Sequence, residues 1–414
     1  MDSRAITLSD TGLPRGDRLW SALQRGKLGP MLYASRLRIG DAGPPDPWRR
    51  SFREDYFTSL VSHHAYCAAA SRILREASAR GLPALILRGT SVAEGLYDDP
   101  ALRPYTDIDL LIPRARLAEA KEMAVDLGYQ APSGSLPDVF FERHHLQLRY
   151  VAPDTGVPLE IHWALDHPFT PFRVDYDSLF ANALTGSIGG VEALRPTPED
   201  RLIILALHLA KHASALQFLP DDELPAHALD RNLLLWMVDI YRLAESTVDP
   251  LDWDQVVRRA DSWAVAGPVG GALAAVKKIL KAPIPAAPLE DLARAGGGPA
   301  IMERGLARVF VGNGIASRGL RRLSGRVCSS PALFNLERIS GVGSFVFPSA
   351  GWLRRHGPWP GGPLPLRGVL HSSRSAMQLG RFFWDLSTKS VAAASRRFTR
   401  RPPTPAARRT PVQG

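Results

Sequence analysis

The sequence has few cysteines and no long hydrophobic run. Only Cys67 and Cys328 occur among its 414 residues, and two such distant cysteines argue against a disulfide framework or a thiolate metal site. No window approaches the roughly 18 to 20 unbroken apolar residues that a membrane helix needs. The first ten residues, MDSRAITLSD, lack the basic start and apolar core of a secretion signal. These absences predict a soluble, cytoplasmic protein.

Acidic residues are scarce in the C-terminal part of the chain. Residues 301–414 contain 19 Lys and Arg but only 3 Asp and Glu, whereas residues 1–300 contain 32 and 38. The formal net charge of +10 therefore arises in the C-terminal part. Such a segment can attract nucleic acid, anionic lipid or an acidic partner. The alternative, which we favour, is a solvated tail without a partner.

What the sequence does contain is an alternation of strands and helices, followed by helices alone. Residues 82–166 predict the order strand, helix, strand, helix, strand, strand, with FFERHHLQLRYV and VPLEIHWAL as the last two strands. Residues after 196 predict three helices, the third of which spans WDQVVRRADSWAVAGPVGGALAAVKKIL from Trp253 onward. The predicted fold class is α+β, with a small mixed sheet, flanking helices, a helical domain and a basic C-terminal region. The predicted divisions are 1–50 (extension), 51–195 (mixed sheet and helices), 196–290 (helical), 291–386 (unclear fold) and 387–414 (disordered Arg/Pro-rich tail).

The stretch YTDIDLLIP places Asp107 and Asp109 at the start of an apolar strand. Alternate residues of a strand point to the same face, so the two carboxylates lie side by side. Adjacent buried carboxylates repel each other, and a shared divalent cation is a common remedy. The alternative is that Asp107 caps the strand while Asp109 pairs with an arginine. The spacing alone does not decide between these interpretations.

Two further segments strengthen the interpretation as a metal site. Glu160, in LEIHW, adds a third carboxylate on a nearby predicted strand, with His162 on the same face. In LRGTS, Gly89 ends a strand, and a glycine turn before a helix lets the backbone approach a phosphate closely. Three carboxylates and such a turn are the components of a two-metal phosphoryl-transfer site.

The segment LILRGTSVAEGLYDDPALRPYTDIDLLIP, followed by LEIHW, resembles the nucleotidyltransferase superfamily, which has the polymerase-beta-like fold. More narrowly, it is similar to a large uncharacterised bacterial family with a Lys-Gly turn, an Asp-x-Asp strand and a Glu-x-His-Trp strand. The likeness covers about residues 50–285. It implies a fold with a mixed-sheet catalytic domain at residues 51–195.

The resemblance also implies roles for individual residues. Asp107, Asp109 and Glu160 would be both the catalytic carboxylates and the ligands of Mg²⁺ or Mn²⁺. The nucleotide would be bound by Arg88, Gly89, Thr90, Ser91, Arg103 and Lys211, of which Lys211 is added from its place on a predicted helix.

Two positions depart from the family pattern, and three histidines have alternative roles. Arg88 stands where the narrower family usually has lysine, and a guanidinium contacts a phosphate differently from an ammonium. Thr90 replaces the usual serine and keeps a hydroxyl. His162 is a possible substrate contact, with core packing as the alternative. His208 and His212 have the spacing of metal ligands, but we favour a structural or phosphate-facing role for them.

These features predict an enzyme that moves a nucleoside monophosphate from an NTP, ATP being the first candidate, to an acceptor hydroxyl. Pyrophosphate would be released. One alternative is glycosyl transfer from a nucleotide sugar at the same acidic site. Another is a non-catalytic nucleotide-binding protein whose basic tail binds RNA or a partner. The sequence does not identify the acceptor.

Overall fold

A computed structural model describes residues 20, 23–35, 46–133, 135, 137–168, 170–213, 232–248 and 250–296. The predictions for the basic C-terminal region concern residues outside this described part. None of the helices in the described part is long and apolar enough to cross a membrane.

A six-stranded mixed sheet forms the centre of the molecule, which confirms the predicted fold class. Its spatial order is β3-β4-β2-β1-β6-β5. β1 pairs antiparallel with β2 and parallel with β6, while β2 and β4 run parallel. The outer pairs β3–β4 and β5–β6 are antiparallel. The strands are β1 (Leu85–Ile86), β2 (Ile108–Leu111), β3 (Gln147–Val151), β4 (Pro158–His162), β5 (Leu184–Ile188) and β6 (Val191–Arg195).

Helices cover both faces of the sheet. They are α1 (Gly29–Ser35), α2 (Asp46–Ala79), α3 (Thr90–Leu96), α4 (Leu117–Asp126), α5 (Asp138–His144), α6 (Tyr176–Ala181), α7 (Pro198–Ala213), α8 (Leu233–Glu245), α9 (Trp253–Ser262), α10 (Ala266–Leu280) and α11 (Ala286–Gly296). Short 3-10 helices span Pro100–Leu102 and Arg114–Arg116.

Successive side chains of a strand point to opposite faces of the sheet, so neighbouring residues of β1 and β2 belong to two different hydrophobic cores. Leu85 and Leu111 belong to a core shared with the helices α7 to α11. Ile86 and Leu110 belong to a second core, which α2 and α4 cover from the other side. Asp109 has the same parity as Leu111 and therefore faces the helical part of the chain.

Two sequence predictions within this fold were wrong. The strand predicted over FFERHHLQLRYV begins only at Gln147, because residues 138–144 form α5. Pro137 precedes this helix and Asp138 lies in its first turn, and both favour a helix start. The long helix predicted from Trp253 onward is divided into α9 and α10 at Ala264, which has a φ of 61°. Pro268 carried the signal, because its missing N–H is tolerated only in the first turn of a helix.

The hairpin of β5 and β6 was not predicted at all. Gly189 and Gly190 form its two-residue turn with φ values of 54° and 76°, and Ile188 pairs with Val191. A Gly-Gly pair between two short strands is a recognised hairpin signal. The sequence therefore contained the information for this element.

Candidate active site

The sheet places Asp109 and Glu160 side by side. β2 and β4 run parallel, and their register pairs the Cα of Asp109 with that of Glu160. His162 lies two residues beyond Glu160 and points to the same face. The ligand atoms of these three side chains lie within 4.8 Å of one another. The fold thus brings Asp109 next to Glu160 and to His162, which is 53 residues from Asp109 in sequence.

The Asp109 carboxylate is buried and accepts three hydrogen bonds. Arg88 donates from Nε to Oδ2 at 3.0 Å and from Nη2 to Oδ1 at 2.9 Å. His162 Nε2 lies 2.8 Å from Oδ1. Burial by itself raises the pKa of Asp109, but the charge of Arg88 and the contact with His162 outweigh burial and lower it. Asp109 is therefore an anion that is fixed in position.

His162 connects Asp109 to Glu160. It is 1% exposed, and its Nε2 also lies 3.6 Å from Glu160 Oε2. Burial lowers the pKa of His162, but the interactions with the two carboxylates outweigh burial and raise it. For Glu160, burial raises the pKa, and hydrogen bonding with His162 outweighs burial and lowers it. The predicted substrate contact of His162 stays a prediction, whereas its contacts give it a positioning role.

Gln147 is a site residue that the sequence analysis missed. Its Nε2 donates to Glu160 Oε2 from the neighbouring strand β3. The register of β3 against β4 places Gln147 opposite His162. Only knowledge of this strand pairing would have indicated the contact.

Asp107 differs from the other two carboxylates. Among the described residues its side chain has neither a hydrogen bond nor an ion pair. It is partly buried, and burial together with the charges of Asp109 and Glu160 raises its pKa to about 7. Its oxygens are not among the ligand atoms that lie within 4.8 Å of one another, but its charge interacts with those of Asp109 and Glu160. A carboxylate that has two charged neighbours of the same sign and no partner among the described residues is an electrostatically unfavourable arrangement that a cation relieves.

The turn between β1 and α3 approaches β2 closely. Gly89 has a φ of 57°, and a Cβ on it would lie 3.1 Å from the carbonyl oxygen of Asp107. Glycine is therefore required both for the backbone conformation and for the close approach. The side chains of Thr90 and Ser91 are 0% and 4% exposed, and the start of α3, with Gly89 at the N-cap, has no side-chain cap hydrogen bond. The Ser91 hydroxyl has no hydrogen-bond partner among the described residues.

Helix α7 closes the site from the helical part. Its His208 contacts Arg88 through Nδ1, and its Lys211 lines the same small cleft as Arg88 and His162. Burial, followed by the charge of Arg88, holds the pKa of His208 well below its usual value, so the imidazole is neutral. The rings of His208 and His212 pack against the ring of Trp236 at centroid distances of 4.2 and 4.9 Å. Such packing is typical of histidines with a structural role.

Arg103 lies in a different cluster. Its Nη2 donates to Asp239 of α8 at 2.7 Å, and its side chain is 5% exposed. The Tyr97 hydroxyl donates to the same carboxylate at 2.7 Å. These contacts give Arg103 a structural role between the sheet domain and α8. Its nucleotide contact stays a prediction.

The comparison with known families agrees with this architecture. Residues 15–281 match the model of a family described as uncharacterised nucleotidyltransferases. No match was found among curated proteins or among solved structures. The matched range contains the whole sheet, the three carboxylates and the helices α7 to α9. The chain therefore belongs to this family of uncharacterised nucleotidyltransferases.

Proposed function

We propose that the protein transfers a nucleoside monophosphate from an NTP to an acceptor hydroxyl, with Mg²⁺ or Mn²⁺ and with release of pyrophosphate. ATP is the first donor to test. The observation that carries the proposal is the unpaired Asp107 carboxylate beside Asp109 and Glu160, within a chain of this family. A purely structural cluster has no need of a third carboxylate that lacks a partner.

The residues present fit a divalent cation. A carboxylate offers about four lone-pair positions, and Asp109 uses three of them for Arg88 and His162. Glu160 Oε1 has no hydrogen-bond partner among the described residues, and both oxygens of Asp107 are available. Oxygen ligands are those that Mg²⁺ prefers. When bound, the cation would neutralise the triphosphate and orient it.

The residues around these carboxylates have positioning roles in the proposal. Arg88 and His162 fix Asp109, and His162 with Gln147 orients Glu160. A site held this rigidly lowers the barrier by orientation, because little reorganisation is needed during the reaction. Lys211, which lines the same cleft as Arg88 and His162, would contact the triphosphate as a point charge.

The reaction balances with the groups at hand. The acceptor oxygen attacks the α-phosphorus, and a new P–O bond forms as the bond to pyrophosphate breaks. The hydroxyl proton passes to solvent, because Glu160 Oε1 would be a ligand of the cation. The pyrophosphate leaves with the electron pair of the broken bond. The close approach of the Gly89 turn leaves backbone next to the carboxylates, where the phosphates would lie.

Binding is the first quantity to measure, because it requires no knowledge of the acceptor. We expect the melting temperature of the full chain to rise with an NTP and Mg²⁺ or Mn²⁺, since ligand at about 100 times its Kd stabilises by about 2.7 kcal/mol. The variant Asp107→Asn should lose this metal-dependent shift. Asp98→Asn, an exposed aspartate of the same segment, is the matched control and should keep it.

Transfer is then followed with α-labelled NTP and candidate acceptors. We expect pyrophosphate release and a drop of at least about 100-fold in Asp107→Asn. Release of a nucleoside diphosphate from a nucleotide sugar would instead indicate glycosyl transfer. Full transfer activity in Asp107→Asn would show that the site assignment is wrong.

A further inference from the structure

A second group of possible ligands lies outside the carboxylate site. His63 and Cys67 are buried on one face of α2, four residues apart, and Glu94 approaches them from α3. The side chain of His63 is 8% exposed and that of Glu94 is 24% exposed. Glu94 is 27 residues from Cys67, so no local sequence pattern connects the three residues.

The distances within this group match those of a tetrahedral metal site. Cys67 Sγ lies 3.4 Å from His63 Nε2 and 3.2 Å from Glu94 Oε1, and His63 Nε2 lies 3.6 Å from Glu94 Oε1. Zinc bonds to sulfur at about 2.3 Å and to nitrogen or oxygen at about 2.0 to 2.2 Å, so tetrahedral geometry requires ligand separations of about 3.4 to 3.6 Å. All three observed separations lie within about 0.4 Å of that range.

The chemistry of the three ligands selects the metal. A thiolate and an imidazole favour Zn²⁺ over Mg²⁺, which prefers oxygen ligands only. One thiolate and one carboxylate carry two negative charges, which balance a dication in a largely buried place. The expectation against a thiolate site rested on there being only two cysteines. A single cysteine suffices here, because histidine and glutamate complete the set.

Tyr105 is a further neighbour of this group and contacts the second ring nitrogen of His63. His63 Nδ1 lies 2.9 Å from the Tyr105 hydroxyl, which leaves Nε2 directed at Cys67 and Glu94. Metal-binding histidines usually have such a partner on their second nitrogen. Tyr105 also flanks Gly89, since a Cβ on that glycine would lie 3.4 Å from its ring. The group therefore adjoins the turn that the proposed nucleotide site uses.

We propose that His63 Nε2, Cys67 Sγ and Glu94 Oε1 bind one Zn²⁺, which fastens α3 to α2. On binding, the Cys67 thiol releases its proton to solvent as the Zn–S bond forms, and a water molecule occupies the fourth position. The ion would hold the start of α3, and hence the Gly89 turn, in place. This role is structural and does not depend on the proposed nucleotide transfer.

Metal binding to the full chain tests this proposal without any assay of activity. Chelator-treated protein, made without a histidine tag, is titrated with Zn²⁺ and with Co²⁺. We expect one thiolate-bound Zn²⁺ per chain, beside any Zn²⁺ that the carboxylate site takes up, and the Co²⁺ form should show a thiolate charge-transfer band. Cys67→Ser should abolish that band and weaken Zn²⁺ binding by more than about 100-fold, since changes beyond the ligands already cost about 10- to 100-fold.

Several variants separate this site from others in the chain. Cys328→Ser replaces the second cysteine and should leave binding unchanged. The Asp107→Ala/Asp109→Ala double variant removes the carboxylate site and should also leave it unchanged. Glu94→Gln keeps the shape of the side chain and should weaken binding, which guards against misfolding of Cys67→Ser. Tyr105→Phe should weaken binding by about 10-fold.

Two results would overturn the proposal. One is folded wild-type protein that binds no Zn²⁺ and gives no thiolate band with Co²⁺, in which case the group is only a hydrogen-bonded network. The other is Zn²⁺ binding that survives Cys67→Ser and Glu94→Gln but is lost in the double variant. That outcome would place the ion at the carboxylate site.

Discussion

Two buried acidic clusters of this molecule differ in how completely their charges are paired. Asp239 accepts hydrogen bonds from Arg103 and Tyr97, so its single negative charge has a cation and a hydroxyl. The site around Asp109 has three carboxylates, with Arg88 and His162 as the partners of Asp109. The first cluster is complete within the described residues, whereas the second leaves Asp107 without a partner. Complete pairing indicates a structural role, and incomplete pairing indicates a place for a ligand.

The largest effect on stability is expected from breaking the complete pair. Arg103→Ala leaves Asp239 buried and without its cation, which costs about 3 to 5 kcal/mol. Urea denaturation of the full chain measures the free energy of unfolding. The double variant Arg103→Met/Asp239→Leu should recover most of the loss, because it removes both charges together.

This experiment also decides the sequence-based role of Arg103. If Arg103→Ala unfolded at the same urea concentration as the wild type but lost affinity for NTP, its guanidinium would be a nucleotide contact. The contrast between the two clusters would then fail, since both would be ligand sites.

The difference in pairing between the Asp239 cluster and the carboxylate site could be predicted only in part from the sequence. Alternation along strands predicted that Asp107 and Asp109 share one face and that Glu160 and His162 share another, and the glycine in LRGTS indicated the tight turn at Gly89. The partners that complete the pairing come from far away in sequence, with Arg103 and Asp239 separated by 136 residues and Arg88 and His208 by 120. Such contacts follow from how α7 and α8 pack on the sheet, and no local period encodes them.

A smaller effect is expected from removing the unpaired charge. The pKa of Asp107 is about 7 in the folded chain, against a usual value of 3.8. The unfolded chain therefore releases this proton at lower pH than the folded chain, and stability falls as pH rises from about 4 to 7. Asp107→Asn cannot ionise, so without metal it should be more stable than the wild type by about 1 to 2 kcal/mol at about pH 8.

Two conditions sharpen this prediction. The advantage of Asp107→Asn should disappear below about pH 4, where the wild-type carboxyl is protonated in both states. Addition of Mg²⁺ at neutral pH should stabilise the wild type and leave the variant unchanged. Thermal denaturation across this pH range measures both effects. A wild type that is more stable than the variant at high pH without metal would mean that Asp107 already has a cationic partner.

The smallest effect is expected from Arg88→Lys. The guanidinium donates two hydrogen bonds to Asp109, and an ammonium keeps the charge but not this paired geometry. We expect a loss of about 1 kcal/mol in the free energy of unfolding, the value of one hydrogen bond. Arg88→Met also removes the charge, so its loss should be larger, and the pKa of Asp109 should rise. Equal losses in the two variants would show that geometry rather than charge holds Asp109.

Because Asp107 would gain no additional repulsion in Arg88→Lys, its pKa should stay near neutrality in that variant. Asp107 therefore lacks a partner because three carboxylates share the site, whether the cation beside Asp109 is arginine or lysine. The identity of residue 88 changes only how firmly Asp109 is held.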